Sequence, residues 1–270
     1  MQISEKQTRI RLGTHGEDYG SWMSSPMFWL IGSLSLAAGV LAVLSVRTFH
    51  ILWLGILSGT AAALLLLLLA LITWVRRQYA FGGGGIMDRV HQTVLSELDF
   101  DGTGTLLEVG CGSGPLALRA ALTWPGAKIV GIDSWGAVYR FSQALCERNA
   151  ASEGVAAQCR FLPGDARKLD FPDESVDAVV SNYVFHNVTG ADKQDLILES
   201  LRVLKKGGVF AINDSMKPRM YGDMEAFARK LREMGFQEVR LVDTETAVFG
   251  SRFRASLLFL SHSTMLTGRK

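Results

Sequence analysis

The run Leu106-Leu107-Glu108-Val109-Gly110-Cys111-Gly112-Ser113-Gly114-Pro115 constrains the fold more than any other stretch of this chain. It reads as a buried strand, a glycine-rich turn and the start of a helix. Glycine lacks a Cβ and accepts positive φ, so the backbone can approach a ligand closely. Pro115 suits the first helical position, where its missing N–H costs nothing. A dinucleotide fingerprint, G-x-G-x-x-G, would put a pyrophosphate on the helix N-terminus. Here the third glycine comes one residue early, and Pro115 stands where that fingerprint requires glycine. Glu108, two residues before the first glycine, repels a diphosphate and suits a cation.

Four later segments add context. Ala127–Asp133 reads as a second strand ending in an acid, about 20 residues past the glycines, where a ribose-binding carboxylate is expected. Ser134 follows it. The competing role for Asp133 is the cap of a helix beginning near Trp135. Gln158–Leu162 reads as a third strand, followed by Pro163-Gly164-Asp165-Ala166, where Asp165 is otherwise a plain turn residue. Phe171–Asn182 holds an acidic loop and a fourth strand, and Lys205–Ile212 a basic turn and a fifth.

The motif Leu-Glu-Val-Gly-Cys-Gly-Ser-Gly, with these segments in order across residues 106–214, resembles the class I S-adenosylmethionine (SAM) dependent methyltransferases. The resemblance implies an α/β fold with a Rossmann-like seven-stranded sheet. It implies SAM as cosubstrate and no metal. Glu108, Gly110, Cys111, Gly112 and Gly114 would line the SAM turn. Asp133 and Ser134 would take the ribose, Asp165 and Ala166 the adenine, and Asn182 would share the crevice. Tyr183 and His186, just past the fourth strand, are the catalytic candidates. His186 would be a base near the methyl, or a packing or capping group, and Tyr183 a pocket wall or a base.

The element order agrees independently. Strands near 105–109, 128–132, 158–162, 176–181 and 208–213 alternate with helices near 115–123, 135–152 and 192–203. Such alternation implies a parallel sheet covered on both faces. Its ligands sit beyond the carboxyl ends of the strands, where the strand order reverses. A helix at 222–234 and strands near 237–243 and 254–261 would complete the sheet with an antiparallel pair.

The first 80 residues suit a different solvent. Met27–Val46 and Ile51–Val75 contain no charged residue, and about 20 apolar residues cross a bilayer as a helix. The link Arg47–His50 is so short that the two spans (27–46 and 51–75) form an antiparallel hairpin of transmembrane helices. Trp22, Trp29, Trp53 and Trp74 fall near span ends, as interfacial aromatics do. A signal peptide would be shorter and would lack the second run. Lys6, Arg9 and Arg11 before the hairpin and Arg76 and Arg77 after it put both ends, and the enzyme, on the cytoplasmic side. Gly55 and Gly59 form a G-x-x-x-G step suited to helix pairing.

The expected division is an N-terminal cytoplasmic segment (1–26), the hairpin (27–75), a linker and lid helix (76–100) and the methyltransferase domain (101–270). Gly82–Gly85 is the flexible joint, and helix 86–98 would cover the cofactor. A net charge of +2 offers no nucleic-acid footprint. The three cysteines, Cys111, Cys146 and Cys159, have neither metal spacing nor a full disulfide set.

The acceptor is less specified. Ser181-Asn182-Tyr183-Val184-Phe185 departs from the Asn-Pro-Pro-Tyr of methyltransferases acting on exocyclic or amide nitrogen, and no Pro-Cys pair serves cytosine C5 chemistry. A small or hydrophobic acceptor, lipid or quinone-like, remains, with entry from the bilayer. The alternatives are a membrane-tethered SAM-binding module without turnover, and a dehydrogenase, against which Glu108 and the early third glycine speak.

Overall fold

The computed structural model describes residues 12–15, 17–20, 25–81, 85–136 and 141–270. The chain divides into two units, one of residues 21–84 and one that joins the N-terminal segment up to Gly20 to residues 85–270. The basic residues Lys6, Arg9 and Arg11, and the joint glycines 82–84, lie outside the described residues.

The smaller unit is a helical hairpin of α1 (Ser25–Arg47) and α2 (Leu52–Tyr79). Both helices are long and apolar enough to cross a membrane. The Gly55–Gly59 step faces α1 within the hairpin. A Cβ on Gly55 would stand 2.3 Å from Val46 Cγ2, and one on Gly59 would stand 3.7 Å from Ala42 Cβ. Small residues thus let the two backbones approach, as in membrane helix pairs. Ser35 adds a hydroxyl donated to the Ala62 carbonyl across the interface at 3.1 Å. Trp29, Leu36, Trp53 and Leu67 point outward and are exposed.

The larger unit begins its second segment with α3 (Ile86–Ser96), which buries Ile86, Val90, Val94 and Leu95. The sheet follows: β1 (Thr105–Val109), α4 (Pro115–Thr123), β2 (Lys128–Asp133), α5 (Gln143–Ser152), β3 (Cys159–Pro163) and β4 (Val176–Asn182). Next come α6 (Lys193–Arg202), β5 (Leu204–Ser215), α7 (Pro218–Tyr221), α8 (Met224–Glu233) and β6 (Gln237–Asp243). The chain ends with α9 (Thr244–Phe249), α10 (Arg252–Leu257) and β7 (Ser263–Arg269). Seven strands lie in the order β3-β2-β1-β4-β5-β7-β6. The first five are parallel, and β7 runs antiparallel to both β5 and β6. The order reverses between β1 and β4, so a crevice opens at the carboxyl ends of those strands. The central strands are buried on both faces, with Val179, Phe210 and Ile212 in the core against Leu196, Phe227 and Leu231 of the flanking helices.

Two expectations are corrected. The final strand is Ser263–Arg269, not 254–261. Gly250, at φ 78°, ends α9, and the Ser251 hydroxyl then caps α10 by accepting from Arg254 N–H. The helix expected from 135 begins at Gln143, behind a Ser142 cap that accepts from Leu145 N–H.

The described N-terminal residues, 12–15 and 17–20, are fastened to the larger unit. Leu12 and Tyr19 are buried in the larger unit. Tyr19 donates its hydroxyl to Glu153 at 2.8 Å, and its carbonyl accepts the Ser113 hydroxyl at 2.9 Å. Asn149 donates to the carbonyls of Asp18 and Ser113, both at 3.0 Å. Residues 12–20 therefore form a strap fastened beside the glycine turn.

Candidate functional site

The glycine turn leaves β1 as expected. Gly110, Gly112 and Gly114 all have positive φ. The Gly110 and Cys111 N–H groups donate to the Ile132 carbonyl at 2.8 and 2.9 Å, which fastens the turn to β2. A Cβ at Gly110 would collide with Val184 at 2.3 Å. Val184 is held there because Tyr183 sits in the left-handed region (φ 55°) and turns the chain sharply after β4. Cys111 is buried, and burial pushes its thiol well above the usual range. It is a small packing residue in the turn.

Glu108 is only 3% exposed. Burial, opposed by an N–H from Ala117, raises its pKa from 4.5 to about 8. Among the described residues its Oε2 has no hydrogen-bond partner. A buried orphan oxygen beside a glycine turn fits a cationic amino group, which would remove the cost of leaving it unpaired.

Asp133 ends β2, and its two oxygens accept from separate backbone donors. Gly112 N–H reaches Oδ2 at 2.9 Å, and Trp135 N–H reaches Oδ1 at 2.8 Å. Among the described residues no helix starts at Trp135, and the next helix is the one from Gln143. The carboxylate instead links β2 to the glycine turn and keeps further lone pairs for hydroxyl donors. Trp135 donates its indole N–H to the Gly112 carbonyl at 2.8 Å. Sequence reasoning took Trp135 only as a helix start and missed this clamp. Ser134 is exposed next to Asp133.

Asp165 follows β3 in a tight turn and is half exposed. The Arg167 N–H and guanidinium hold its carboxyl below the usual range. The guanidinium lies 2.8 Å from Oδ2 and also donates to the Thr189 carbonyl at 2.9 Å. An adenine amino group would share Asp165 with Arg167. Ala166 packs against the core.

A second polar cluster lies past β4 and β5. Asn213 donates to Asn182 Oδ1 at 2.9 Å, and its own oxygen accepts from the Thr244 hydroxyl at 2.9 Å. Ser263 joins Thr244 at 2.7 Å and the Tyr183 hydroxyl at 2.6 Å. Burial pushes the Tyr183 hydroxyl up to about 12. Tyr183 is thus locked in this network and hard to ionise. His186 lies in a short 3₁₀ turn, Phe185–Asn187, with its ring 26% exposed. Its Nδ1 meets Oδ1 of Asp214, which is 1% exposed, at 2.5 Å. Sequence reasoning missed Asp214, which falls inside a buried strand with no motif of its own.

Residues 107–212 match the family described as a methyltransferase domain. The chain is 33% identical over 136 residues to the ubiquinone/menaquinone biosynthesis C-methyltransferase UbiE of Pseudomonas fluorescens, covering 50% of this chain and 51% of the relative. It is 32% identical over 127 residues to the sterol 24-C-methyltransferase erg6 of Aspergillus fumigatus, covering 47% of this chain and 32% of the relative. The chain thus spans about a third to a half of the length of these relatives. Among solved structures, the [4+2]-cyclase SpnF superposes with a TM-score of 0.53 at 22% identity, over 67% of this chain and 80% of that one. The geranyl diphosphate C-methyltransferase of Streptomyces coelicolor gives 0.51 at 17% identity, over 68% and 79%. Both show the fold alone. The larger unit has the fold of these solved structures, and its residues 107–212 are the part that matches the methyltransferase-domain family.

Proposed function

We propose that the protein is a membrane-anchored enzyme that moves a methyl group from SAM to a small or hydrophobic acceptor of lipid or quinone type. The observation that carries this reading is the buried, unpartnered Glu108 oxygen beside the glycine turn, with Asp133 tied to the same turn. Glu108 would hold the amino group of SAM, Asp133 and Ser134 its ribose, and Asp165 and Ala166 its adenine. SAM supplies a methyl already activated by its sulfonium, so positioning and exclusion of water are the protein's main contribution, of roughly 7–11 kcal/mol. No metal is required by this chemistry.

His186 is suited to act as base where the acceptor must lose a proton. Its Nδ1 stands 2.5 Å from Asp214 Oδ1; with the proton on Nδ1, the carboxylate would hold that tautomer and leave Nε2 to accept a proton. Two outward-facing apolar helices support a bilayer anchor, since such a surface has no favourable place in water. Both ends and the domain would lie on the cytoplasmic side. The similarity to a quinone and a sterol methyltransferase supports a hydrophobic acceptor.

Incubation of the full chain with membrane extract and methyl-labelled SAM tests this reading. Label in the lipid fraction supports it. Tight SAM binding with no transfer to any fraction would favour the second reading, a tethered SAM-binding module. The superposition on a cyclase keeps that alternative open, because the fold does not dictate methyl transfer.

A further inference from the structure

The polar cluster around Ser263 borders an apolar surface that the methyl-transfer site does not use. On α10 and the turn after it, Ala255 and Leu258 point inward and are buried. Phe253 and Phe259 point outward at 79% and 52% exposure, and Leu257 is exposed between them. Arg252 and Arg254 flank Phe253 and are exposed. Met216 N–H donates to the His262 carbonyl at 2.9 Å, and the Ser215 hydroxyl to the Ser261 carbonyl at 2.6 Å. These bonds fix Ser215 and Met216 beside the turn after α10, and the chain continues from them into exposed Lys217 and Arg219. Between residues 246 and 263, and between 215 and 222, there is no acid. Asp214, which is buried, and Asp223, which is exposed and caps α8, bracket the second stretch, and Glu245 precedes the first, where it accepts from His262 N–H at 2.7 Å and stands 3.8 Å from Arg252.

We propose that this surface docks onto an anionic lipid bilayer. Phe253, Leu257 and Phe259 enter the interfacial region, and Arg252, Arg254, Lys217 and Arg219 meet the headgroups. Exposed aromatic and aliphatic side chains ringed by arginine and lysine form the pattern of an interfacial anchor. The basic side chains complement a negative leaflet. The hairpin makes a bilayer the surface at hand, so the proposal rests on reading that hairpin as membrane-spanning. Docking here would present the Tyr183–Ser263 side of the site to a lipid acceptor, since Ser263 bonds Tyr183 directly.

The test uses the full chain with Cys159→Ala in nanodiscs of zwitterionic lipid, with or without phosphatidylglycerol. Spin labels are placed singly by Leu257→Cys, by Leu66→Cys in the hairpin, and by Glu147→Cys on exposed α5 as an aqueous reference. Power saturation with oxygen and a nickel chelate reports lipid or water around each label. The label at 257 should prefer oxygen in anionic discs. The added changes Arg252→Glu and Arg254→Glu should return it to the behaviour of the label at 147. A label at 257 open to nickel while that at 66 prefers oxygen would overturn the docking and leave the hairpin reading intact. Nickel access at both positions would overturn both. Shielding of 257 from both reagents would mean a protein cover, such as a second copy, and would also overturn the proposal.

Discussion

His186 and Asp214 are joined twice: Nδ1 meets Oδ1 at 2.5 Å, and the His186 backbone N–H reaches Oδ2 at 3.2 Å. The carboxylate therefore fixes both the ring and the turn that carries it. If His186 is the base, His186→Ala lowers single-turnover methyl transfer by about 10²-fold or more, with the Kd for SAM unchanged. Asp214→Asn slows the same step by a smaller factor. A loss of SAM affinity with unchanged transfer would reassign the pair to a structural role.

Asp133 is expected to matter twice, for the ribose and for the turn. Asp133→Ala should weaken SAM binding by about 1–3 kcal/mol, because it leaves hydroxyl and backbone donors unpaired. It should also speed amide exchange at Gly112, whose N–H now bonds Oδ2 at 2.9 Å. Titration calorimetry gives the first effect and hydrogen exchange the second. Faster exchange with unchanged affinity would remove the ribose role.

Glu108 predicts a pH dependence. Its folded pKa of about 8 lies above the ordinary 4.5, so the folded protein holds a proton that the unfolded chain releases. Stability of the ligand-free protein should therefore fall as pH rises from 4.5 to about 8, and Glu108→Gln should flatten that slope. A bound ammonium favours the carboxylate, so SAM binding at neutral pH should release a proton. Calorimetry in buffers of different ionisation heat measures that release. Its absence in the unaltered protein would show that Glu108 does not meet the amino group.

The strap depends on a buried amide. Asn149→Ala removes donors to the Asp18 and Ser113 carbonyls. It should cost about 1–3 kcal/mol and release residues 12–20 to rapid exchange while the sheet stays protected. Uniform loss of protection across the domain would mean that the strap belongs to its core.

Gly55 tests the hairpin. A Gly55→Val side chain would strike Val46, since even a Cβ would stand 2.3 Å from its Cγ2. Cross-linking between cysteines introduced at Ala42 and Gly59 should then slow. Unchanged cross-linking would mean that the two helices do not pack through the glycine step.

Much of this was legible because local chemistry dictates it. Leu106–Val109 alternates with nothing polar except Glu108, and the three glycines that follow admit few conformations. The central parallel strands β1, β4 and β5 read correctly because they are buried on both faces and so appear as apolar runs. The same rule misled at the C-terminus. Leu257-Leu258-Phe259-Leu260 is the most apolar run there, yet only Leu258 of the four is buried. The real strand, Ser263–Arg269, is less apolar and owes its place to pairing with β5 and β6. Asp214 and the strap escaped for a related reason. Each has partners distant in sequence, Asp214 at His186 and Tyr19 at Ser113 and Glu153, and spacing along one chain carries no trace of such contacts.

The strap has one more consequence. Residues 12–20 and 85–270 complete one domain, with the hairpin spliced between its two segments. The hairpin is thus an excursion that must leave the domain and return to it. Were its helices to enter a bilayer singly, the first segment would be stranded across the membrane from Ser113, Asn149 and Glu153. An error of topology would then surface as an error of folding, and the finished domain would certify that both passes had been made.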